Sequence, residues 1–388
     1  MACCAGCDAF MRKTLAGKQI VLAVTGSIAA VETIKLIHAL RRKGAIVQPV
    51  ISQAALKIIH PDALTYASGR ETICQISGLV EHVLYCGDNG TADLLLIAPC
   101  TANTLGKIAG GIDDTPVTTF ATTAIGSNTP VIIVPAMHHS MFRHPGVTEN
   151  IATLKSWGIG VIDPIIAEGK AKIADNDDII LWCERAILGG PLSGKRVVIT
   201  SGPCREPVDD IRILTTRSSG EMGRELALEA FRLGATVVVI HADKFPCITN
   251  VHAETADDMR EEVLRIFSGE KVDLYISAAA ISDFAPRRRK GKIPSGKPVT
   301  ISLEPLPKIL EEVKKRYAPV TIGFKLGLDE MKKAHQMVAD GINYVLVNTP
   351  ETMGSVTGDY TLVSRRLSRN LKGTKDEIAS EILNHVTF

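Results

Sequence analysis

Residues 18–44 read KQIVLAVTGSIAAVETIKLIHALRRKG, and this stretch decides the fold class. IVLAV is a short unbroken apolar run, the pattern of a strand covered on both faces. TGSIAA is a turn of small residues. VETIKLIHALRRKG carries apolar residues at helical spacing and ends in basic residues before Gly44. The same order then recurs. AIVQPVIS is the next strand, DLLLIAPCTANTLGKIAGG is strand, turn and helix, and PVIIVPAMHHSMF repeats it. Alternation of this kind specifies an open, mostly parallel, three-layer sheet. Ligands bind such sheets beyond the carboxyl ends of the strands. The loops to read are therefore TGSIAA, ISQAA, APCTANT and PAMHHSMFRHP.

LGGPLSGKR, at 188–196, is rich in Gly, Pro and Ser, and the pattern restarts after it. RVVIT is a strand, SGPCREPVDDIRILTTRSSG a long polar loop, EMGRELALEAFRLG a helix and ATVVVIH a strand. VDLYISAAAISDFAP, VTIGFKLG and INYVLVNTP continue the series. The expected domains are 1–188, whose first 17 residues read as a flexible leader, and 189–388. Both read as α/β, doubly wound, Rossmann-like, sharing a topology but no sequence repeat.

A chain of 388 residues accommodates two such domains, and 45% apolar content fills two cores. The net charge of +2 does not suggest a nucleic-acid partner. No apolar run approaches the ~20 residues of a membrane span. MACCAGCDAFMRK lacks the apolar stretch of a signal peptide, so a cytoplasmic location is expected. Nine cysteines are scattered without a disulfide framework. Cys4 and Cys7 form one CxxC beside Cys3, with no second pair or histidine at ligand spacing. It reads as part of the leader, or as residues upstream of a start at Met11, and no metal site is expected.

Gly26 and Ser27 follow a strand at a helix start, where small residues let backbone N–H groups approach a phosphate and the helix dipole favours negative charge. Ser52, after the second strand, adds a hydroxyl. There is no GxGxxG and no acidic residue placed for a ribose, so a mononucleotide such as FMN fits better than NAD. His82, among apolar residues, suits a helix-surface or core histidine as well as a base. His138 and His139 follow a strand at its carboxyl end. In RILTTRSSGEMG (212–223), two hydroxyls and a glycine after an arginine open an amphipathic helix, an arrangement that suits an anion.

VTGSIAA, APCTANTLGKIAGGIDDTPVTT and PAMHHSMFRHP together resemble the flavin-containing cysteine decarboxylase group, over roughly residues 18–185. The resemblance implies that FMN is held by Gly26, Ser27, Ile28 and Ser52 and by the loop Cys100, Thr101, Ala102, Asn103. It implies that His82 is the catalytic histidine, and that His138 and Met141 contact substrate. Two positions depart from the group. His138 stands where the group has asparagine, and can still donate to a carboxylate. The flap EGKAKIADND, at 168–177, lacks the group's proton-donating cysteine, leaving Lys170, Lys172 or water for that step.

ITSGPCREPVDDIRILTTRSSGEMG, AAAISDFAP, GKI at 291–293 and GFK at 323–325 resemble phosphopantothenate–cysteine ligases, over roughly residues 194–350. The two halves together resemble the bifunctional phosphopantothenoylcysteine decarboxylase/phosphopantothenate–cysteine ligase family of coenzyme A synthesis, in its archaeal form. What this implies is specific. Ser218, Ser219 and Gly220 donate to phosphate. Arg205 and Arg212 bind substrate, Arg212 through a bidentate grip on phosphate or carboxylate. Lys292, in the basic loop Arg287–Lys292, neutralises charge in the transition state. Asp283, Phe324, Asn348 and Lys292 contact the nucleotide, CTP or ATP, taken with Mg²⁺. Thr216 replaces a family asparagine that assists amide formation. The resemblance implies that 4′-phosphopantothenate forms an acyl-nucleotide, an acyl-cytidylate before any other, and that cysteine displaces the nucleotide. FMN-dependent decarboxylation would follow. The family also implies a homo-oligomer of decarboxylase trimers and ligase dimers, at the largest a dodecamer. Two other classes remain to be weighed: an FMN/NAD(P)H oxidoreductase, and a non-enzymatic relative regulating a protein phosphatase.

Overall fold

The computed structural model describes residues 12–167, 170–243, 245, 248–327 and 330–388. Cys3, Cys4, Cys7 and most of the expected leader lie outside them. The chain divides into two compact units between Gly189 and Gly190.

In the first unit, β1 (Gln19–Val24), β2 (Ile46–Ile51), β3 (Leu94–Cys100), β4 (Val131–Pro135) and β5 (Gly160–Val161) form a parallel sheet in the order β2-β1-β3-β4-β5. The unbroken apolar run explains itself residue by residue. Ile20, Leu22 and Val24 of β1, with Leu94 and Leu96 of β3, pack on Leu36, Ile37 and Leu40 of helix α1 (Thr33–Arg42). The alternate residues Val21, Ala23, Leu95 and Ile97 pack on the opposite face. That face is covered by helices including α2 (Glu81–Cys86), α3 (Ala102–Ala109) and α4 (Pro116–Gly126). α1 begins two residues later than its apolar spacing starts, because a 3-10 turn, Ile28–Glu32, intervenes. Ser27 caps that turn, its hydroxyl accepting from the Ala29 N–H.

The second unit has β6 (Arg196–Thr200), β7 (Thr236–His241), β8 (Thr249–His252), β9 (Leu274–Ser277), β10 (Val320–Leu326), β11 (Tyr344–Asn348), β12 (Thr357–Ser364) and β13 (Ser368–Thr374). Its sheet runs β8-β7-β6-β9-β10-β11-β12-β13. The first six strands are parallel, and β12 and β13 add an antiparallel hairpin. Helix α5 (Glu221–Arg232) follows the loop after β6, and α6 (Lys375–Asn384) follows β13 and packs on α5.

The expectation of one shared topology is corrected here. The first unit has the 2-1-3-4-5 order and the second the 3-2-1-4-5-6 order, extended by the hairpin. Both orders are doubly wound. They differ through β8, a half-exposed edge strand without an apolar run, and through β12 and β13, whose burial is patchy. Neither carries the parallel-strand signature.

Leu96 is fully buried at the centre of the first sheet. Leu96→Ala should lower the unfolding free energy of that unit by about 2–5 kcal/mol in a urea titration. A change within about 0.5 kcal/mol, the range of surface positions, would contradict this packing.

Candidate functional site: two switch-point clefts

In the first unit the strand order reverses between β1 and β3, and a cleft of about 580 Å³ opens at their carboxyl ends. Gly26, Ser27, Ser52, Thr101, Ala102 and Asn103 line it together with Met141. Gly26 is required by space: a Cβ there would lie 2.6 Å from the Ala54 Cβ. Thr101 caps α3, accepting from the Thr104 N–H at 3.3 Å, so the first turn of that helix faces the cleft. Ser52 accepts from the Ala55 N–H in the same way. Lys107 also lines the cleft, but Asp114 binds its ammonium at 2.6 Å.

The remaining predicted residues of this half stand apart from the cleft within one chain. Cys100 is buried at the end of β3, and Ile28 is 78% exposed. His82 lies on the short helix α2, its ring edge-on to Phe120 at 6.4 Å, and its Nδ1 is buried with no hydrogen-bond partner. His138 caps the helix His139–Phe142, its Nδ1 accepting from the Ser140 N–H. Of the proton-donor candidates, Lys172 is exposed on a short strand, while the Lys170 side chain and residues 168–169 lie outside what is described. Among the described residues no cysteine lines this cleft.

In the second unit the order reverses between β6 and β9, and a cleft of about 440 Å³ opens there. Ser218, Ser219 and Gly220 reach it from the start of α5, and Asp283, Phe324 and Asn348 from the ends of β9, β10 and β11; Thr216 lines it too. Gly220 sits at φ +73°, and a Cβ on it would lie 3.0 Å from the Gly202 Cα. Both facts exclude a larger residue. The Ser218 hydroxyl accepts from the Gly220 N–H, which leaves its proton to donate. Asp283 is paired with Lys308, and Asn348 donates to Thr352 at 2.7 Å. Among the described residues no group of three or more His, Cys, Asp or Glu could hold a metal ion.

Arg205, Arg212 and Lys292 do not line this cleft. Arg205 lies by Glu254, donating its backbone N–H to that residue's carbonyl. Arg212 is turned onto Asp209. The Asp209 carboxylate accepts from the Ile211, Arg212 and Ile293 amides at 2.7–2.9 Å and from the Arg212 guanidinium. Asp210 accepts from the Gly291 amide and the Arg288 guanidinium. These two carboxylates therefore clamp the Arg212 loop to the Lys292 loop. Sequence reasoning missed the clamp, although the paired aspartates of PVDD were its signal. It also missed Lys325, Lys333 and Lys375, which all line the cleft. The Glu377 carboxylate accepts from the Thr374 N–H at 2.9 Å, one half of a capping box, and T-x-x-E marks a helix start at Lys375. Nothing in the local sequence says that this helix returns to the cleft.

The comparisons agree with this division. Residues 10–187 match the flavoprotein family model, and residues 192–388 match the DNA/pantothenate metabolism flavoprotein C-terminal domain. The class is thus a flavoprotein domain fused to that C-terminal domain. The chain is 42% identical to the coenzyme A biosynthesis bifunctional protein of Thermococcus kodakarensis, with 96% of each chain covered. It is 35% identical to the protein of that name from Methanocaldococcus jannaschii, over 96% of this chain and 94% of that one. A crystal structure of the C-terminal domain of such a bifunctional protein aligns at 30% identity and a TM-score of 0.41, covering 50% of this chain and 94% of that chain. The chain belongs to this family of coenzyme A biosynthesis bifunctional proteins, enzymes that pair a decarboxylase with a ligase. Membership sets aside the plain oxidoreductase and the non-enzymatic regulator.

The amide donors around Asp209, that of Ile293 foremost, hold its carboxyl well below the usual carboxylate range against the opposing effect of burial. A depressed folded-state pKa stabilises the fold above the unfolded value of about 4, and the contribution fades as pH falls below it. Asp209→Asn should therefore lower the melting temperature at pH 7, and the gap to wild type should narrow below about pH 4. An equal gap at both pH values would mean that charge does not organise the clamp.

Proposed function

We propose that the first cleft binds FMN and decarboxylates 4′-phosphopantothenoylcysteine to 4′-phosphopantetheine. The second cleft activates 4′-phosphopantothenate with CTP or ATP and Mg²⁺ and joins it to cysteine. The supporting observation is convergence: motif residues scattered along each half gather at that half's own switch point.

The first cleft's donors suit the phosphate of a mononucleotide. They are the first-turn amides of α3 and the hydroxyls of Ser27, Ser52 and Thr101, beside a glycine whose Cβ would not fit. FMN, when bound, supplies reversible two-electron oxidation of the cysteinyl thiol, which makes the neighbouring carboxylate a leaving group as CO₂. The chain supplies His82 as the base for the thiol proton and His138 as a donor to the substrate carboxylate. Both histidines stand outside the single-chain cleft, and Leu79, Val83 and Leu84 beside His82 are exposed. That apolar surface supports a trimer in which a neighbouring copy completes the site.

In the second cleft, the carboxylate of 4′-phosphopantothenate attacks the α-phosphorus and pyrophosphate leaves. The amine of cysteine then attacks the acyl carbon and releases the nucleoside monophosphate. Ser218, Ser219 and Gly220 hold phosphate oxygens, Asp283, Phe324 and Asn348 hold the nucleoside, and Thr216 offers a hydroxyl near the acyl group. Arg205, Arg212 and Lys292 act on substrate in the assembled, substrate-bound enzyme. Exposed Ile211, Ile213, Leu214 and Phe284 near the clamp support a ligase dimer. Trimers and dimers combined give at the largest a dodecamer. Among the described residues no helix is long and apolar enough to cross a membrane. The proposal places the enzyme in the cytoplasm with small-molecule partners and no nucleic acid.

Purified protein incubated with 4′-phosphopantothenate, cysteine and either CTP or ATP should give 4′-phosphopantetheine, followed by mass analysis, and should release FMN on denaturation. Colourless protein that cannot be reconstituted with FMN would sink the first-cleft reading. His82→Asn should stop CO₂ release but keep FMN and ligation; undiminished decarboxylation would return His82 to a packing role.

Lys292→Gln should slow nucleotide-dependent pyrophosphate release about 10²–10³-fold, the usual cost of losing a charge-stabilising donor. Decarboxylation of supplied 4′-phosphopantothenoylcysteine should be untouched. An unchanged pyrophosphate rate would make the basic loop a solvated surface.

A further inference from the structure

The second cleft contains a cation that the reaction outlined above does not use. Lys375 is the first residue of α6 and is only 5% exposed, yet it lines the cleft. Its backbone N–H donates to the Val356 carbonyl. Its ammonium makes no hydrogen bond or ion pair among the described residues. The nearest opposing influence is Glu221, in the first turn of α5, whose carboxylate lies 3.7 Å from Arg224. The other cleft cations differ. Lys333 is bound to Glu330 at 2.7 Å, and Lys325 is less buried.

Holding an ammonium largely out of water without a protein partner is costly. Burial holds Lys375 below the ordinary lysine range, and Glu221 only partly opposes that. A fold retains such a group at a cleft when a ligand supplies the missing charge. The surroundings say which charge. α5 has 12 residues and α6 has 10, and the first turns of both border the same cleft. The carboxylates that also line the cleft are paired, Glu221 with Arg224, Glu330 with Lys333 and Asp283 with Lys308, so two helix N-termini and one nearly buried cation define an anion site.

We propose that Lys375 is a phosphate-binding residue of the second cleft, its ammonium meeting an oxyanion of the nucleotide polyphosphate where the first turns of α5 and α6 meet. This rests on the nucleotide reading of that cleft. The shared chemistry is a phosphate oxyanion, which either the triphosphate or 4′-phosphopantothenate could bring. The triphosphate is favoured because Ser218–Gly220 and the proposed nucleoside contacts Asp283, Phe324 and Asn348 line the same cavity.

The test is calorimetric titration of the full chain and of Lys375→Met and Lys375→Arg with CTP, ATP, the parent nucleosides and 4′-phosphopantothenate, alongside thermal unfolding without ligand. Wild type should bind a triphosphate, and Lys375→Met should bind it about ten- to a hundredfold more weakly, the range for one charge-assisted hydrogen bond. Nucleoside affinity should not move, and Lys375→Arg should recover most of the loss. Methionine keeps the length and removes the buried charge, so this variant should melt no earlier than wild type. Equal triphosphate affinity in Lys375→Met overturns the proposal. So does a loss accompanied by earlier melting, or one confined to 4′-phosphopantothenate, which would assign the lysine to the other phosphate. If wild type binds neither triphosphate, the nucleotide reading of the cleft fails, and this inference with it.

Discussion

Both clefts depend on one geometric constraint. In a doubly wound parallel sheet, two adjacent strands send their connections to opposite faces, and the gap between their carboxyl ends cannot be filled by either connection. In the first unit, α1 packs on one face and α3 on the other. Thr25 spans the gap, its backbone N–H and its side chain both reaching the β3 loop. The buried Thr25 hydroxyl donates to the Pro99 carbonyl at 2.7 Å and accepts from the Thr101 amide at 3.0 Å. This fixes the β1 and β3 loops against each other while leaving their outer donors to face a ligand. The second unit does the same with backbone. The Ala278 amide donates to the Thr200 carbonyl and the Ala280 amide to the Gly202 carbonyl, while Ser201 donates to the Gly220 carbonyl. The loops that carry the chemistry are thus tied at their roots.

What the sequence made legible was whatever depends on local period. IVLAV is a strand buried on both faces, and in the structure its alternate residues do enter two different cores. The small-residue turns were legible because backbone approach leaves no alternative to glycine at Gly26 and Gly220. Strand order was not legible. It is decided by which edge a strand joins, and β8 and the β12–β13 hairpin have no run or turn signal that names their neighbours. The same limit applies to side chains that act over distance. Asp209 meets Ile293 84 positions along the chain, and Lys375 comes to Ser218 only because α6 packs on α5. Arg212 shows the converse error. Local sequence reads it as an anion binder, and the anion it meets in the structure is Asp209, three residues away.

The clamp gives that competition a structural purpose. Asp209 and Asp210 together accept hydrogen bonds from the Ile211, Arg212, Gly291 and Ile293 amides. Two loops with little packing of their own are thereby held as one piece, and the exposed Lys292 side chain is carried with the Arg212 loop. A carboxylate that meets several amides is a strong local organiser because its charge is spread over donors that cannot move away. Residues placed by such a clamp move together, so any approach of Lys292 to a substrate brings Arg212 with it.

The two clefts solve the same geometric problem with different charge. The first presents amides, hydroxyls and one lysine already neutralised by Asp114. The second has Lys325, Lys333 and the nearly buried Lys375, and its lining carboxylates Glu221, Glu330 and Asp283 are each paired with a cation, Arg224, Lys333 and Lys308. In a partly desolvated cleft each unmatched charge weighs several times more than in water, so the cations left without a partner weigh most on which ligand is held there. A phosphate monoester, with about two negative charges, is matched by neutral donors and a helix dipole. A triphosphate is not, and it needs fixed cations already in place. The difference in charged groups between the two clefts therefore suits the mononucleotide proposed for the first and the nucleoside triphosphate proposed for the second.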